Sequence, residues 1–268
     1  MSTLVCFHAH PDDESISTGG LMIKASEAGH RVILVLGTRG EQGEPVEGVL
    51  RDGEALWERR IVETAASAKI LGAEEPRFLG YEDSGMIGTP ENDNSNCFWQ
   101  ADVEEAAQRL ADILVEVDAD VLTIYDDHGN YGHPDHIQVY RVGRRAAEIA
   151  GITHVFEATA NRTRIQESMG AAADTDAPEG MEDGPDPEMM KTFGTPASDI
   201  RFEVDVSAVI DRKKQSMMAH ASQIGPDSFF LKMPDEVFVG AFGIESFNAL
   251  DTKDTGGPEL VDLLPGLS

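Results

Sequence analysis

Apolar positions in the first 160 residues alternate between short solid runs and longer stretches of helical period. Residues 4–7, 31–36, 76–79, 121–125 and 153–158 are the short runs; each has the length and apolar continuity of a buried strand. Between them, 17–28, 54–71, 102–117 and 136–150 place apolar residues on one helical face. Gly29 and Gly72 stand where helices stop. The βαβα order predicts an α/β fold: a Rossmann-like three-layer α/β/α arrangement around a mostly parallel sheet.

Beyond residue 158 the rhythm breaks. Residues 170–198 are rich in Ala, Asp, Glu, Gly, Pro and Met, a composition that predicts a mobile acidic loop or lid. Period-two alternation over 200–206 predicts a strand, and 209–221 a helix carrying Lys213, Lys214 and His220. The Gly- and Pro-rich tail after 251 is expected to fray. With no internal repeat, the chain reads as one domain over 1–268, its C-terminal segment roofing the active site.

Charge narrows the partners. Against 21 basic residues stand 49 acidic ones, a formal charge of -28, which repels phosphate backbones and anionic membranes at long range. The expected partner is therefore a small molecule, with no nucleic acid and no membrane. The acidic surplus reads as a heavily solvated surface, of the kind that suits high internal salt. Two cysteines, Cys6 and Cys97, do not make a disulfide framework. A start without a basic region and the lack of a bilayer-length apolar stretch complete the expectation of a cytoplasmic protein.

Chemistry gathers in two places, each at the end of a strand-like run. His8-Ala-His10-Pro-Asp12-Asp13-Glu14 follows the first run, and Tyr131-Gly-His133-Pro-Asp135-His136 follows the fourth. Ligands in open parallel sheets bind at such strand ends. A catalytic zinc site wants three His or carboxylate ligands and an open position. One His and one Asp from the first motif with one His from the second meet that need. The spare carboxylate, Asp12 or Asp13, is then a candidate general base, and His133 can protonate a leaving group. A rival assignment puts Mg²⁺ or Mn²⁺ on Asp12, Asp13, Glu14 and Asp135, but the imidazole content favours Zn²⁺, Fe²⁺ or Co²⁺. No Walker lysine or dinucleotide fingerprint accompanies Gly19-Gly20 or Gly37 to Gly40. Any one of these residues could serve as a loop-end cap; two clusters of imidazole and carboxylate exceed what capping needs.

Ala9-His-Pro-Asp-Asp-Glu14 with Gly132-His-Pro-Asp-His136 resembles the signatures of the LmbE-like, or PIG-L, superfamily of metal-dependent N-deacetylases. The likeness continues through Leu79 to Met86, Tyr125 to His136 and His220-Ala-Ser-Gln223. It is nearest to the branch of N-acetylglucosaminyl-inositol deacetylases and mycothiol S-conjugate amidases. The resemblance implies one Zn²⁺ per chain, with Fe²⁺ as an alternative, held by His10, Asp13 and His136. It further implies Asp12 as general base, His133 as general acid, Tyr131 as the group polarising the amide carbonyl, and Asp135 as the partner orienting His133. Arg60 and Asp83 match positions that hold sugar hydroxyls. The implied activity is hydrolysis of an amide C–N bond, N-deacetylation of an amino-sugar conjugate. An amidase of thiol conjugates on the same scaffold and a non-catalytic sugar-binding module are the alternatives. His8 is expected outside the ligand set, Glu41 and Glu44 at the surface, and His30, His154 and His220 as structural residues.

Overall fold

The computed structural model describes residues 1–173, 191–250, 257–261 and 263–264. Strand and helix alternate through the first half: β1 (Thr3–His8), α1 (Asp13–Ser17), α2 (Gly19–Glu27), β2 (Arg31–Leu36), α3 (Leu56–Leu71), β3 (Arg77–Phe78), α4 (Val103–Glu116) and β4 (Val121–Tyr125). The one-turn α5 (Gly129–Gly132), α6 (Pro134–Ala150), β5 (His154–Thr159) and α7 (Arg162–Ala173) follow. The C-terminal part holds β6 (Phe202–Asp205), α8 (Ile210–Ala219), α9 (Phe229–Lys232), α10 (Asp235–Phe242), β7 (Ile244–Ala249) and β8 (Glu259–Leu260).

The strands form one sheet in the order β3-β2-β1-β4-β5-β7-β6-β8. The first five in sequence pair in parallel, and β7 runs antiparallel to both β5 and β6. Every residue of β1 is buried, because helices cover both faces of the sheet, and its sequence is accordingly apolar without alternation. Since β1 pairs with β2 on one side and β4 on the other, the chain reverses direction across the sheet there. That switch point opens a crevice at the carboxyl ends of β1 and β4.

The expected helix over 17–28 is α2, with the short α1 just before it. Thr18, at φ -135, separates α1 from α2, and its hydroxyl lies 2.8 Å from His8 Nε2. The N–H groups of Gly20 and Leu21, exposed by this break, donate to the Glu245 carboxylate at 2.7 and 2.9 Å. Lys213 Nζ donates to the same carboxylate at 2.7 Å, with both side chains buried. Removing one member of a buried ion pair strands the other charge, so Lys213→Ala is expected to destabilise the fold by about 3–5 kcal/mol. Urea unfolding followed by circular dichroism measures this; a loss under about 1 kcal/mol would show that the two N–H donors suffice.

No pattern announced α7, α9, α10 or β7. In β7, Glu245, Ser246 and Asn248 are buried, and distant groups satisfy them: Glu245 as above, Asn248 by accepting the Arg201 N–H at 2.8 Å. The loop expected over 170–198 overlaps α7 at 170–173. At its other end Arg162 donates to the carbonyls of Thr192 and Phe193 at 3.0 Å; the rest, 174–190, lies outside the described residues. The expected fraying after 251 is corrected at 259–260, where β8 pairs with β6, and at Leu263 and Leu264, which are buried in the core; residues 251–256 lie outside the described set. Cys6 and Cys97 are free and buried. Among the described residues no helix is long and apolar enough to cross a membrane.

Candidate active site

Both motifs leave the sheet at the switch point, and local backbone chemistry sets their side chains. After β1 the chain turns at Asp12, a non-glycine residue at φ 96. Its carbonyl accepts the Ser15 N–H at 3.0 Å and so starts α1, which places Asp13 in the first helical turn. After β4 the chain turns through Asn130 at φ 61. α6 begins two residues before the expected start, because Pro134 suits the first helical position and His133 caps it, Nδ1 accepting the Asp135 N–H at 3.1 Å. His136 then lies one turn beyond His133 on the same side. Gly129 is required here: a Cβ would come within 2.6 Å of His136 Cβ, at a backbone φ of +64.

His10, Asp13 and His136 converge. Asp13 Oδ2 is 3.4 Å from His10 Nδ1 and 3.5 Å from His136 Nε2. Tetrahedral coordination at zinc–ligand distances near 2.0–2.2 Å puts ligand atoms about 3.3–3.5 Å apart, so both separations fit a shared cation. The other nitrogen of His10, Nε2, is 3.1 Å from Asp135 Oδ2 and 3.5 Å from Asp83 Oδ1. A metal-ligating histidine usually donates its second N–H to a carboxylate, and Asp135 occupies that place for His10. Two groupings bring three donor atoms within 4.8 Å of one another, His10–His133–His136 and His10–Asp83–Asp135, and His10 belongs to both.

The expectation that the Asp135 carboxylate orients His133 is corrected. Only the Asp135 backbone N–H meets His133. Its carboxylate accepts from the Ser84 N–H at 2.9 Å and the Ser84 hydroxyl, and faces His10. The loop carrying Ser84 lies close enough to take both oxygens, and only tertiary structure brings it there.

Arg60 is among the residues that line the cleft. It is 3% exposed, and its guanidinium donates to the Gly40 carbonyl at 2.8 Å, to the Pro11 carbonyl, and to Asp12 Oδ2 at 3.1 Å. Gly40 permits the approach, since a Cβ there would sit 2.1 Å from Arg60 Nη1. Asp83 also faces the cleft, its carboxylate braced by the N–H groups of Gly85 at 2.8 Å and Gln42 at 3.2 Å. Glu41, expected at the surface, accepts the Asp83 N–H at 3.0 Å.

Burial and charge separate the protonation states. Burial opposes ionisation of Asp13, but His136 and His10 hold its carboxyl far below the usual range. Burial also opposes the charge on His10, yet Asp83, Asp13 and Asp135 raise it well above the ordinary histidine value. Such a carboxylate excess around one imidazole favours positive charge at that point. Burial pushes His136 down to about 4, leaving its lone pair available. Burial, then the charges at His10 and His136, push His133 down to about 3. With Nδ1 accepting the Asp135 N–H, neutral His133 carries its proton on Nε2. Asp12 is raised to about 6 by burial, with Arg60 opposing. Burial, then the Asp13 charge, push the Tyr131 phenol above its usual range, so it stays a donor; its hydroxyl is 3.5 Å from His136 Nε2 and its ring stacks on Phe193.

His8 is engaged by other groups, with Nδ1 2.7 Å from the Tyr125 hydroxyl and Nε2 2.8 Å from the Thr18 hydroxyl. His220 is fully buried on Glu14, at 2.6 Å from Oε1. The cleft, about 260 Å³, is lined additionally by Gln42, Met86 and Gln223. Of these, Gln42 has no signature in sequence; Gln223 and Met86 sit in stretches that carried the family likeness.

An α/β sheet with a buried His/Asp cluster that could hold a cation at its switch point, beneath a cleft sized for a small molecule, defines the class to which this chain's fold and site belong. Within it, the chain belongs to the GlcNAc-PI de-N-acetylase (PIG-L) family, which it matches over residues 5–147. A 1D-myo-inositol 2-acetamido-2-deoxy-alpha-D-glucopyranoside deacetylase from Acidothermus cellulolyticus is 40% identical over 259 residues, 91% of this chain and 87% of that one. The fold is shared with N,N'-diacetylchitobiose deacetylase from Pyrococcus horikoshii (TM-score 0.54, 21% identity, 92% of this chain and 83% of that). It is shared equally with a 4-carboxy-2-hydroxymuconate hydratase from Pseudomonas putida KT2440 (TM-score 0.61, 17% identity, 94% and 98%). A deacetylase and a hydratase on one architecture mean that the site, not the fold, must carry the functional argument.

Proposed function

We propose that this chain hydrolyses the amide C–N bond of an N-acetyl amino-sugar conjugate, with 1D-myo-inositol 2-acetamido-2-deoxy-α-D-glucopyranoside as the preferred substrate. One observation carries the reading: two adjacent carboxylates have different neighbours. Both line the cleft; Asp13 lies between His10 and His136 at ligand spacing, and Asp12 lies against the Arg60 guanidinium. The donor set fits Zn²⁺, with Fe²⁺ as the alternative ion. When bound, such an ion supplies Lewis acidity toward the substrate carbonyl and toward water.

The remaining work falls to side chains. Asp12 takes the proton of the attacking water, and Arg60 holds its carboxylate in place. Tyr131 donates its phenolic hydrogen to the carbonyl oxygen as charge builds there. His133 delivers its Nε2 proton to the departing nitrogen and regains one at Nε2 from Asp12, which holds the proton taken from the water. The new C–O bond yields acetate as the C–N bond breaks. Asp83 is the acceptor for a sugar hydroxyl. Asp135 acts on His10, so Asp135→Ala is expected to weaken metal affinity about 10–100-fold, read by competition with a chromogenic chelator; unchanged affinity would detach Asp135 from the metal site.

The test is acetate and free-amine release by metal-stripped protein, with and without added Zn²⁺ or Fe²⁺. The substrates are the inositol conjugate, N-acetylglucosamine and an S-conjugate amide of the same amino sugar. Metal-dependent acetate release, greatest from the inositol conjugate, is the expected result. Amine release from the S-conjugate alone would make the chain an amidase of thiol conjugates. Metal-loaded protein inert toward all three would overturn the reading.

A further inference from the structure

Glu14 and His220 stand outside the cleft lining, are fully buried, and are 206 positions apart in the chain, yet His220 Nε2 donates to Glu14 Oε1 at 2.6 Å. A buried carboxylate persists only with its oxygens satisfied. Oε1 also accepts from the Ser67 hydroxyl at 2.6 Å and the Ser15 hydroxyl at 3.2 Å. Oε2 accepts the backbone N–H of Asp12 at 3.0 Å. Asp12 is the residue held at φ 96, a conformation that a side-chain-bearing residue keeps only when its surroundings over-determine it.

We propose that Glu14, anchored by His220, is the positioning residue for the general base: its bond to the Asp12 N–H locks the left-handed turn that aims the Asp12 carboxylate into the cleft. Arg60 grips the carboxylate of Asp12 and Glu14 its backbone, so both ends of the residue are fixed. The turn also separates Asp12 from Asp13, leaving the latter to His10 and His136. His220 reaches this turn from the end of α8, where its carbonyl accepts the N–H groups of Gln223 and Ile224 at 2.9 and 2.7 Å. Ser222 is bound through its N–H and hydroxyl to Glu63 on α3, the helix that carries Arg60. The C-terminal segment thereby ties one wall of the cleft to the backbone of the base.

This proposal rests on Asp12 being the base. Variants of the full chain are compared after metal loading, with the inositol conjugate as substrate. His220→Leu removes the donor to Glu14, whereas His220→Gln replaces it with an amide N–H. Small misplacements of a reacting group cost about 10- to 100-fold in rate, and a kcat loss of that size is expected for His220→Leu, with KM and metal content unchanged. His220→Gln should recover most of it. A purely structural role would instead lower Tm while leaving kcat per folded, metal-loaded molecule intact; that result, or equal damage in both variants, overturns the proposal. Should His220→Leu not fold, Ser67→Ala removes a milder bond to the same carboxylate and is expected to lower kcat several-fold at constant KM; full kcat in it overturns the proposal too. Asp12→Asn keeps the two readings apart. If it retains turnover, the base reading fails and the positioning role with it; if it is inactive while His220→Leu is fully active, only the positioning role fails.

Discussion

Asp12→Asn is expected to abolish turnover while leaving the metal in place. Asparagine keeps the shape of the side chain and an oxygen for Arg60, and it leaves His10, Asp13 and His136 untouched. What it loses is basicity. General-base catalysis is worth about 10²–10⁴ in rate, or about 3–5 kcal/mol of barrier, and kcat should fall by that amount with metal stoichiometry unchanged. The pH profile supplies the sign. Asp12 works only when ionised, so activity is present above its pKa and lost as pH falls through it. Burial raises that pKa to about 6, with Arg60 opposing, and a bound cation draws it lower. The acid limb of kcat/KM should therefore lie at or below pH 6. An Asp12→Asn protein with near-wild-type turnover, or with the same acid limb on its residual activity, would take the base role away from Asp12.

His136→Ala should give the converse: metal lost, and activity lost because of it. His136 sits in the first turn of α6 with Nε2 3.5 Å from Asp13 Oδ2. Burial keeps its imidazole neutral at physiological pH, so its lone pair faces the site without a competing proton. Removing an outer partner of a ligand costs about 10–100-fold in affinity; removing the ligand itself should cost more than about 100-fold. Metal content after desalting, and chelator competition, measure this directly. The metal-free variant should match metal-free wild type in circular dichroism, since alanine is readily accommodated in α6. If His136→Ala retained stoichiometric metal and turnover, the ligand set would have to be rebuilt around His10 and its remaining neighbours.

Parts of the molecule differ sharply in how legible they were. β2 and β4 coincide with apolar runs because a strand covered on both faces carries its burial in every residue. α1 and β7 were hidden for opposite reasons. α1 is five residues long, and those residues double as the metal motif. β7 buries polar side chains whose partners lie far off in sequence. The candidate ligands were legible because each motif sets its own turn: Pro134 and the His133 cap start α6, and three residues later His136 falls on the same side. The partners of Asp135, Arg60 and Glu41 were not, because each is met by a loop or helix from elsewhere in the chain.

The amino-acid sequence by itself determined which chemistry this protein carries and which strands present it, since imidazole and carboxylate spacing and apolar continuity are local properties. Tertiary structure alone decided which side chains meet. Arg60 reaches the Asp12 carboxylate, the Asp135 carboxylate meets His10, and His220 reaches Asp12 through Glu14. Each of these depends on a distant segment bringing its donors to a carboxylate that burial forbids to stay unpaired.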